Sequence, residues 1–292
     1  MGPTASGKSA LAVELAKQFD GEVVSADSRQ VYRGLDIGTN KLPVPLRQGV
    51  PHYLIDVESP ERTFTAARYK KLATRAVKQI LQQRKVPIIC GGTGFYIDAL
   101  LGEAELSPVL PNLALRRALS RLPVRELYEH LVELDPKRAK VIDGENPQRL
   151  IRAIEIASSL EGLNPKRLEK PKWKITKIGL RPPSATLRDN IKESVKQRLR
   201  QGLIGEVKGL RKGGLSWKRL EELGLEYRIV ARLLEARGKN SALRRAELEK
   251  LTTELEMTTW HYAKRQLTWF KRDKQIKWYT SPDEAMEKLR KI

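Results

Sequence analysis

Gly2-Pro3-Thr4-Ala5-Ser6-Gly7-Lys8-Ser9 stands near the start of this 292-residue chain and matches G-x-x-x-x-G-K-[ST] at every constrained position. Such a loop gathers backbone N–H groups into an anion-binding nest at a helix N-terminus. Lys8 adds a mobile positive charge, and the Ser9 hydroxyl is suited to hold Mg²⁺. Leu11, Ala12, Leu15 and Ala16 then make an apolar stripe, which predicts a helix running to about Gln18. The loop therefore predicts a phosphate or diphosphate ligand held by Gly2, Thr4, Ala5, Ser6, Gly7, Lys8 and Ser9. It names a ligand class and not a reaction. A loop of this kind ordinarily follows a buried strand, and only Met1 comes before Gly2. Either the natural start lies upstream of Met1, or another segment takes the place of that strand.

Outward from the loop, strands and helices alternate. Glu22-Val23-Val24-Ser25-Ala26 reads as a short buried strand ending at Asp27, and His52-Tyr53-Leu54-Ile55-Asp56 as another. Thr65 to Arg84 has helical periodicity. Val86-Pro87-Ile88-Ile89-Cys90 reads as a buried strand that stops at Gly91-Gly92-Thr93-Gly94, and Phe95 to Leu101 resumes as helix. This alternation predicts a parallel α/β sheet with its ligand at the carboxyl ends of the strands.

The texture changes after Glu105. Residues 112–162 read as several helices broken at Pro111, Pro123, Pro136 and Pro147. Trp173-Lys174-Ile175-Thr176-Lys177-Ile178-Gly179-Leu180 reads as a returning strand. Helical patterns follow over about 184–201, 203–212, 224–237 and 242–272, and Ile276-Lys277-Trp278-Tyr279 is a last strand. The expected fold is an α/β, P-loop NTPase-like parallel sheet core with a mostly helical insertion domain. Its parts are 1–106 (core), 107–144 (insertion), 145–205 (core continuation), 206–257 (helical and basic) and 258–292 (a helix and strand packing on the core).

Composition narrows the class. The net charge is +21, and 40% of residues are apolar, enough for a sizeable core. Residues 1–104 carry +4, and residues 105–292 carry +17. That asymmetry is the footprint expected for a polyanion partner; the bland alternative is a generally basic, solvated surface. No run of about 18 apolar residues predicts a membrane span. Cys90 is the single cysteine, so an internal disulfide is excluded and a reducing cytoplasm is expected. His52, His130, His261 and Cys90 lack ligand spacing, which argues against a zinc site.

Two further stretches carry candidate chemistry. The P-loop alone suits a kinase or ATPase, but such enzymes place an Asp after an apolar strand to hold Mg²⁺, and the strand at Val86 ends in glycines. Asp27 is the remaining carboxylate: a metal-sphere ligand, a general base facing the loop's ligand, or a helix N-cap. Gly91-Gly92-Thr93-Gly94 offers close backbone approach and one hydroxyl for a base or phosphate, or is simply a tight turn.

The run Ser25-Ala26-Asp27-Ser28-Arg29-Gln30-Val31-Tyr32-Arg33-Gly34-Leu35-Asp36-Ile37-Gly38-Thr39-Asn40-Lys41 resembles that of the tRNA dimethylallyltransferases, also called tRNA isopentenyltransferases. The likeness continues in Pro51–Asp56, Gly91–Tyr96, Asn146–Glu155 and Tyr262–Phe270, in order and over essentially the full chain. It implies transfer of a dimethylallyl group from dimethylallyl diphosphate to N6 of the adenine next to the anticodon (position 37 of the tRNA), with release of diphosphate. It implies Asp27 and Thr93 as catalytic residues, the Gly2–Ser9 loop on the diphosphate, and Mg²⁺ at Ser9. It further implies tRNA contacts from Asp27, Ser28, Arg29, Gln30, Thr93, Arg116, Gln148, Arg149, Arg152, Lys264, Arg265 and Gln266. A cytoplasmic monomer is expected. Lys264 and Arg265 interleave with Trp260, Tyr262, Trp269 and Phe270, a mixture that suits backbone contact and base stacking, or aromatics that merely pack on the core. The other readings are a P-loop kinase or ATPase on a small metabolite and a non-catalytic RNA-binding relative.

Three places depart from the family pattern. Only Met1 precedes the loop. Asn190 and Ser194 stand where two diphosphate-gripping arginines are usual, with Arg188 and Arg198 flanking them. The segment that usually reads Gly-Tyr-Lys is Gly224-Leu225-Glu226-Tyr227-Arg228, with its tyrosine displaced.

Overall fold

The computed structural model describes residues 1–104, 106–107, 109–159, 171, 173–238 and 244–290. The chain divides into two units, Met1–Ala104 with Pro171–Ile292, and Glu105–Lys170. The strands, all in the first unit, are β1 (Gly21–Ser25), β2 (His52–Tyr53), β3 (Val86–Cys90), β4 (Ile178–Leu180) and β5 (Lys277–Tyr279). Before the second unit come helices α1 (Lys8–Gln18), α2 (Ala66–Gln82) and α3 (Gly94–Leu101). Within it lie α4 (Leu113–Leu119), α5 (Val124–Leu134), α6 (Pro136–Ala139) and α7 (Pro147–Ala157). After it come α8 (Ser184–Arg200), α9 (Leu203–Lys212), α10 (Trp217–Glu222), α11 (Leu225–Arg237), α12 (Arg245–Phe270) and α13 (Pro282–Leu289).

The first unit is mixed α/β with small parallel sheets. β1 lies between β2 and β3, and β4 pairs with β5. β1 is buried along its whole length because helices cover both faces. Successive side chains point to opposite faces, so Val23 packs with Ala12, Val13 and Ala16 of α1, while Val24 joins the large core with α2 and α3. That core also takes Ile191 and Val195 of α8, Val207 of α9, Tyr227 and Val230 of α11, and Phe270 of α12. α2 starts at Thr65, whose Oγ1 accepts from the Arg68 amide at 3.2 Å. Gly91 lies too close to the Ala26 backbone to carry a Cβ, which explains a glycine at the end of β3.

Several elements differ from the sequence reading. β2 stops at Tyr53 because Leu54 and Asp56 have positive φ (62° and 58°) and break the ladder. β3 has the composition of a buried strand but sits at the edge of its sheet, with Val86 45% exposed. Of Trp173–Leu180 only Ile178–Leu180 pairs. α10 and α13 went unread, although Ser216 and Ser281 each cap a helix start. The tails of two helical readings, 160–162 and 242–243, lie outside the described residues. Trp269 and Phe270 pack inward: Phe270 in the core, Trp269 edge-on to Phe95 with its Nε1 donating to Asp98 at 3.0 Å.

The second unit has its own core of Leu119, Leu127, Leu131, Leu150 and Ile154. α7, which the sequence reading placed with the core continuation, belongs to this unit. Its Glu155 is 0% exposed and accepts from the Asn112 amide (2.5 Å), from Arg116 Nε (2.9 Å) and Nη2 (2.7 Å), and from Arg152. Burial by itself would raise the Glu155 pKa, but the bonds from Arg116, Arg152 and Asn112 outweigh it and hold the carboxyl at about 2. A lowered carboxyl stabilises the fold above its ordinary value of 4.5, and that contribution is lost as pH falls through about 2. Glu155→Gln is expected to destabilise the unit by about 3–5 kcal/mol by leaving two guanidinium groups without their carboxylate. Hydrogen exchange of the α5 and α7 amides would read this; unchanged protection at neutral pH would refute the role.

Candidate functional site

The Gly2–Ser9 loop turns through left-handed backbone at Ala5 (φ 59°) and Gly7 (φ 84°) and runs straight into α1. The first turn of α1 holds no acidic side chain and no side-chain cap, so its amides and partial positive charge are open to an anion. Side chains from distant segments hold the loop. Gln266 of α12 accepts from the Thr4 amide at 2.8 Å and donates to the Gly92 carbonyl at 2.9 Å. Asn190 of α8 donates to the Ala5 carbonyl at 3.1 Å. The Cys90 thiol donates to the Lys8 carbonyl at 3.4 Å. Met1 donates through its nitrogen to the Ile178 carbonyl (2.7 Å) and accepts from the Leu180 amide (3.0 Å). β4 thus anchors the residue that leads into the loop.

Asp27 follows β1 and faces the same pocket as the loop. Its Oδ1 accepts from the Arg29 amide (2.8 Å) and the Gln30 amide (3.3 Å), a local turn that fixes the carboxylate. No helix starts at Ser28, so Asp27 caps a turn and not the helix of the sequence reading, and it does so with Oδ1. Thr93, at the end of the β3 turn, accepts from the Ser28 amide at 3.0 Å and donates to Ser28 Oγ at 3.4 Å. Asp27 and Thr93 are thereby held one residue apart through Ser28.

The far rim is residues 36–41. Glu206 of α9 accepts from the amides of Asp36 (2.9 Å), Ile37 (2.7 Å) and Gly38 (3.0 Å), and from Tyr227 Oη (2.6 Å). Burial first, and then the Glu206 charge, pushes the Tyr227 hydroxyl far above its ordinary pKa, so it stays a donor. Gly38 has no room for a Cβ against the Tyr227 ring. Arg198, a flanking arginine of the sequence reading, is buried and spent on the Gly38 carbonyl (3.1 Å) and Glu226 (2.6 Å). Arg188 lies 4.4 Å over the Trp260 ring. Between the rims is a polar pocket of about 490 Å³, which Lys8, Ser9, Asp27, Arg228, Tyr262 and Arg265 border. The unit's larger cavity, about 690 Å³ and apolar, lies behind the loop and carries none of these groups except Lys8.

The residues expected on RNA fall into three sets. Ser28, Arg29, Gln30, Lys264 and Arg265 are at least partly exposed in the first unit. Arg29 also donates to the Glu222 carbonyl (2.9 Å), and Gln30 to the Thr39 carbonyl (3.2 Å), so both brace the pocket rim. Lys264 lies 5.8 Å from the Trp260 ring centroid and Arg265 5.8 Å from that of Tyr262. Gln148 and Arg149 are exposed on α7 of the second unit, where Arg149 pairs with Asp143 at 3.1 Å, while Arg116 and Arg152 serve Glu155. Gln266 is 6% exposed, with both ends of its amide used on the loop and on Gly92, and it borders the same pocket as Asp27 and Arg265. Sequence reasoning missed Asn190 as a loop ligand and Glu206 as the rim's anchor. The departure at Asn190 was visible; nothing near Glu206 marks it.

Among the described residues, no three His, Cys, Asp or Glu side chains gather to hold a metal by themselves. Ser9 and Asp27 both border the pocket, and the Ser9 hydroxyl reaches the Cys90 thiol. One hydroxyl and one carboxylate fit Mg²⁺, which completes its shell with water and substrate phosphates. Among the described residues no helix is long and apolar enough to cross a membrane.

A family model described as IPP transferase matches residues 30–273. A tRNA dimethylallyltransferase of Treponema pallidum (strain Nichols) is 43% identical over 94% of this chain and 87% of its own length. That of Roseiflexus castenholzii is 39% identical over 100% of this chain and 94% of its own. The crystal structure of the full-length tRNA isopentenylpyrophosphate transferase from Bacillus halodurans is 33% identical, covers 99% of this chain and 91% of its own, and superposes with a TM-score of 0.71.

Gln266→Leu keeps the volume of the clasp but strands the Thr4 amide and the Gly92 carbonyl. It is expected to cost about 1–3 kcal/mol and to weaken pyrophosphate binding at the loop. Urea unfolding and calorimetric titration with inorganic pyrophosphate check it; wild-type values in both would remove the clasp from the account.

Proposed function

Because the chain belongs to the IPP transferase family, we propose that its pocket moves a dimethylallyl group from dimethylallyl diphosphate to N6 of the adenine next to the anticodon of tRNA (position 37). The observation that carries this reading is the shared pocket. A P-loop-type nest built for a diphosphate and a carboxylate fixed for proton work open onto the same space.

The chemistry follows from what each group can do. The N6 lone pair attacks C1 of the dimethylallyl group, the C1–O bond breaks, and its electron pair leaves with diphosphate. The loop amides and Lys8 stabilise the charge that grows on the departing oxygens. As it attacks, N6 becomes cationic, and Asp27 takes its proton through the oxygen not committed to the Arg29 and Gln30 amides. Thr93, held by Ser28, positions the amine. Ser9 and the diphosphate would hold Mg²⁺, which supplies further charge neutralisation there. With Arg198 spent on Glu226 and Arg29 on the Glu222 carbonyl, Lys8, Arg228 and Arg265 are the other cations that border the pocket.

A base must leave its stack to reach such a pocket, at a cost of a few kcal/mol, and phosphate contacts offset this. The +21 charge suits that task, and the exposed Lys264, Arg265, Gln148 and Arg149 are the proposed tRNA contacts.

The direct test is to incubate the purified chain with Mg²⁺, dimethylallyl diphosphate and unmodified tRNA, digest, and look by mass for N6-dimethylallyladenosine. Product is expected; tRNA binding without product would favour a non-catalytic relative. Asp27→Asn keeps an acceptor for the Arg29 and Gln30 amides and removes the base. Its turnover should fall by about 10²–10⁴-fold while tRNA affinity stays within about threefold. Undiminished turnover in that variant would rule out Asp27 as the base.

A further inference from the structure

Four tyrosines of the first unit spend their hydroxyl on the protein. Tyr32 accepts from the Phe64 amide (3.0 Å), Tyr53 donates to Glu22 (2.7 Å), Tyr96 to the Phe64 carbonyl (3.4 Å) and Tyr227 to Glu206 (2.6 Å). Tyr262 of α12 is different. Among the described residues nothing bonds to its hydroxyl, and it borders the polar pocket together with Lys8, Ser9 and Asp27. Tyr69 and Tyr279 also lack a hydroxyl partner among the described residues, but neither borders that pocket.

The place of Tyr262 in the pocket is fixed. It precedes Gln266 by one helical turn, so the two share a face of α12. The two Gln266 bonds hold that face against the loop and the turn after β3. Arg265 lies 5.8 Å from the Tyr262 ring centroid. The charges that act most on the hydroxyl are those of Asp27, Arg29, Glu226 and Arg265, and Lys8 of the loop is not among them. Tyr262 therefore belongs to the Asp27 end of the pocket and not to the Gly2–Ser9 end. Burial first, and then the Asp27 charge, raises its pKa above the ordinary value of 10.0, so at neutral pH it is a donor.

A carboxylate acceptor and a phenol donor that open onto one space complement a base edge with a donor beside an acceptor. Adenine has that edge: N6–H donates and N1 accepts. Guanine and uracil present the reverse, an oxygen acceptor beside an N–H donor. Cytosine shares the adenine pattern on a one-ring base.

We infer that Tyr262 is a recognition residue for the target base: its hydroxyl donates to N1 of the adenine whose N6 faces Asp27. The inference rests on the reaction proposed above and adds how the pocket selects its base. Guanine and uracil are turned away because their N–H would meet the phenol O–H and their oxygen would meet the carboxylate.

The test uses the full chain and tRNA carrying at position 37 either adenosine or 1-deazaadenosine, in which a C–H replaces N1. Tyr262→Phe keeps the ring and removes the donor. The preference for adenosine in kcat/KM should be about 5–100-fold greater in the wild-type chain than in Tyr262→Phe. Any intrinsic difference between the two bases is common to both proteins, so the change in preference reads the hydroxyl. Calorimetric titration with inorganic pyrophosphate should give both proteins the same affinity. An unchanged preference in Tyr262→Phe overturns the inference, and so does a loss confined to pyrophosphate affinity, which would put the hydroxyl on the diphosphate. If the wild-type chain forms no product even with adenosine, the proposed reaction fails, and RNA binding alone decides the inference. Wild-type affinity must then favour the adenosine RNA by at least about fivefold, with the preference lost in Tyr262→Phe. Equal wild-type affinity for the two RNAs overturns it.

Discussion

One side-chain amide connects the parts of this pocket. Gln266 accepts from the Thr4 amide and donates to the Gly92 carbonyl, so the Gly2–Ser9 loop and the turn after β3 are fixed to the same point on α12. Two backbone groups depend on it, one buried and one partly buried, and leaving the buried one unpaired costs more than the bond itself gains. The requirement explains Gly92, whose Cβ would overlap the Gln266 side chain, and Gly94, whose Cβ would overlap the Trp269 ring. The glycines therefore record packing against α12. Thr93, between them, is the one residue of the turn with a hydroxyl to present, and Ser28 holds it beside Asp27.

Charge in the first unit sorts by burial. Lys41 is buried and bonded to Asp36 and Asp56; Lys177 is buried and bonded to Glu103 and Asp273; Arg198 is buried and bonded to Glu226. Each of these three cations has its carboxylate, as desolvation demands. These cations are structural: Lys41 closes the rim segment, and Lys177 ties the approach to β4 to the end of α12. The charge available to a polyanion is what remains on the surface. It includes Lys264 and Arg265, whose partners are aromatic rings and not carboxylates. A cation held over a ring keeps its full charge for phosphate.

Elements with a strong local signal were legible in the sequence. α1, α2, α8 and α9 fall within one to two residues of their predicted bounds, because a nest, a Thr cap or a repeating apolar stripe fixes each one. The motifs were legible too, since the Gly2–Ser9 loop and Asp27 do share a pocket. What could not be read is which polar side chain faces which. Gln266 and Arg265 are adjacent in sequence and one turns in while the other turns out, a matter of helix phase against a core that forms only in three dimensions. Glu206 gathers three amides and a hydroxyl from segments more than 160 residues and 21 residues away, and no local pattern announces such an acceptor.

β3 shows how a disagreement between sequence and structure can itself carry information. Val-Pro-Ile-Ile-Cys has the composition of a strand covered on both faces, and both faces are indeed flanked by helices. Yet β3 ends its sheet, and Val86 is 45% exposed. An edge strand usually carries charge or a bulge to discourage further pairing; here Pro87 is the one such device, and it still leaves Ile89 able to donate and accept. β3 is thus an apolar edge strand with a proline near its start, beside an apolar cavity. Its composition follows the helical layers that cover both of its faces and not its place at the sheet edge, because side-chain polarity answers to what each face meets.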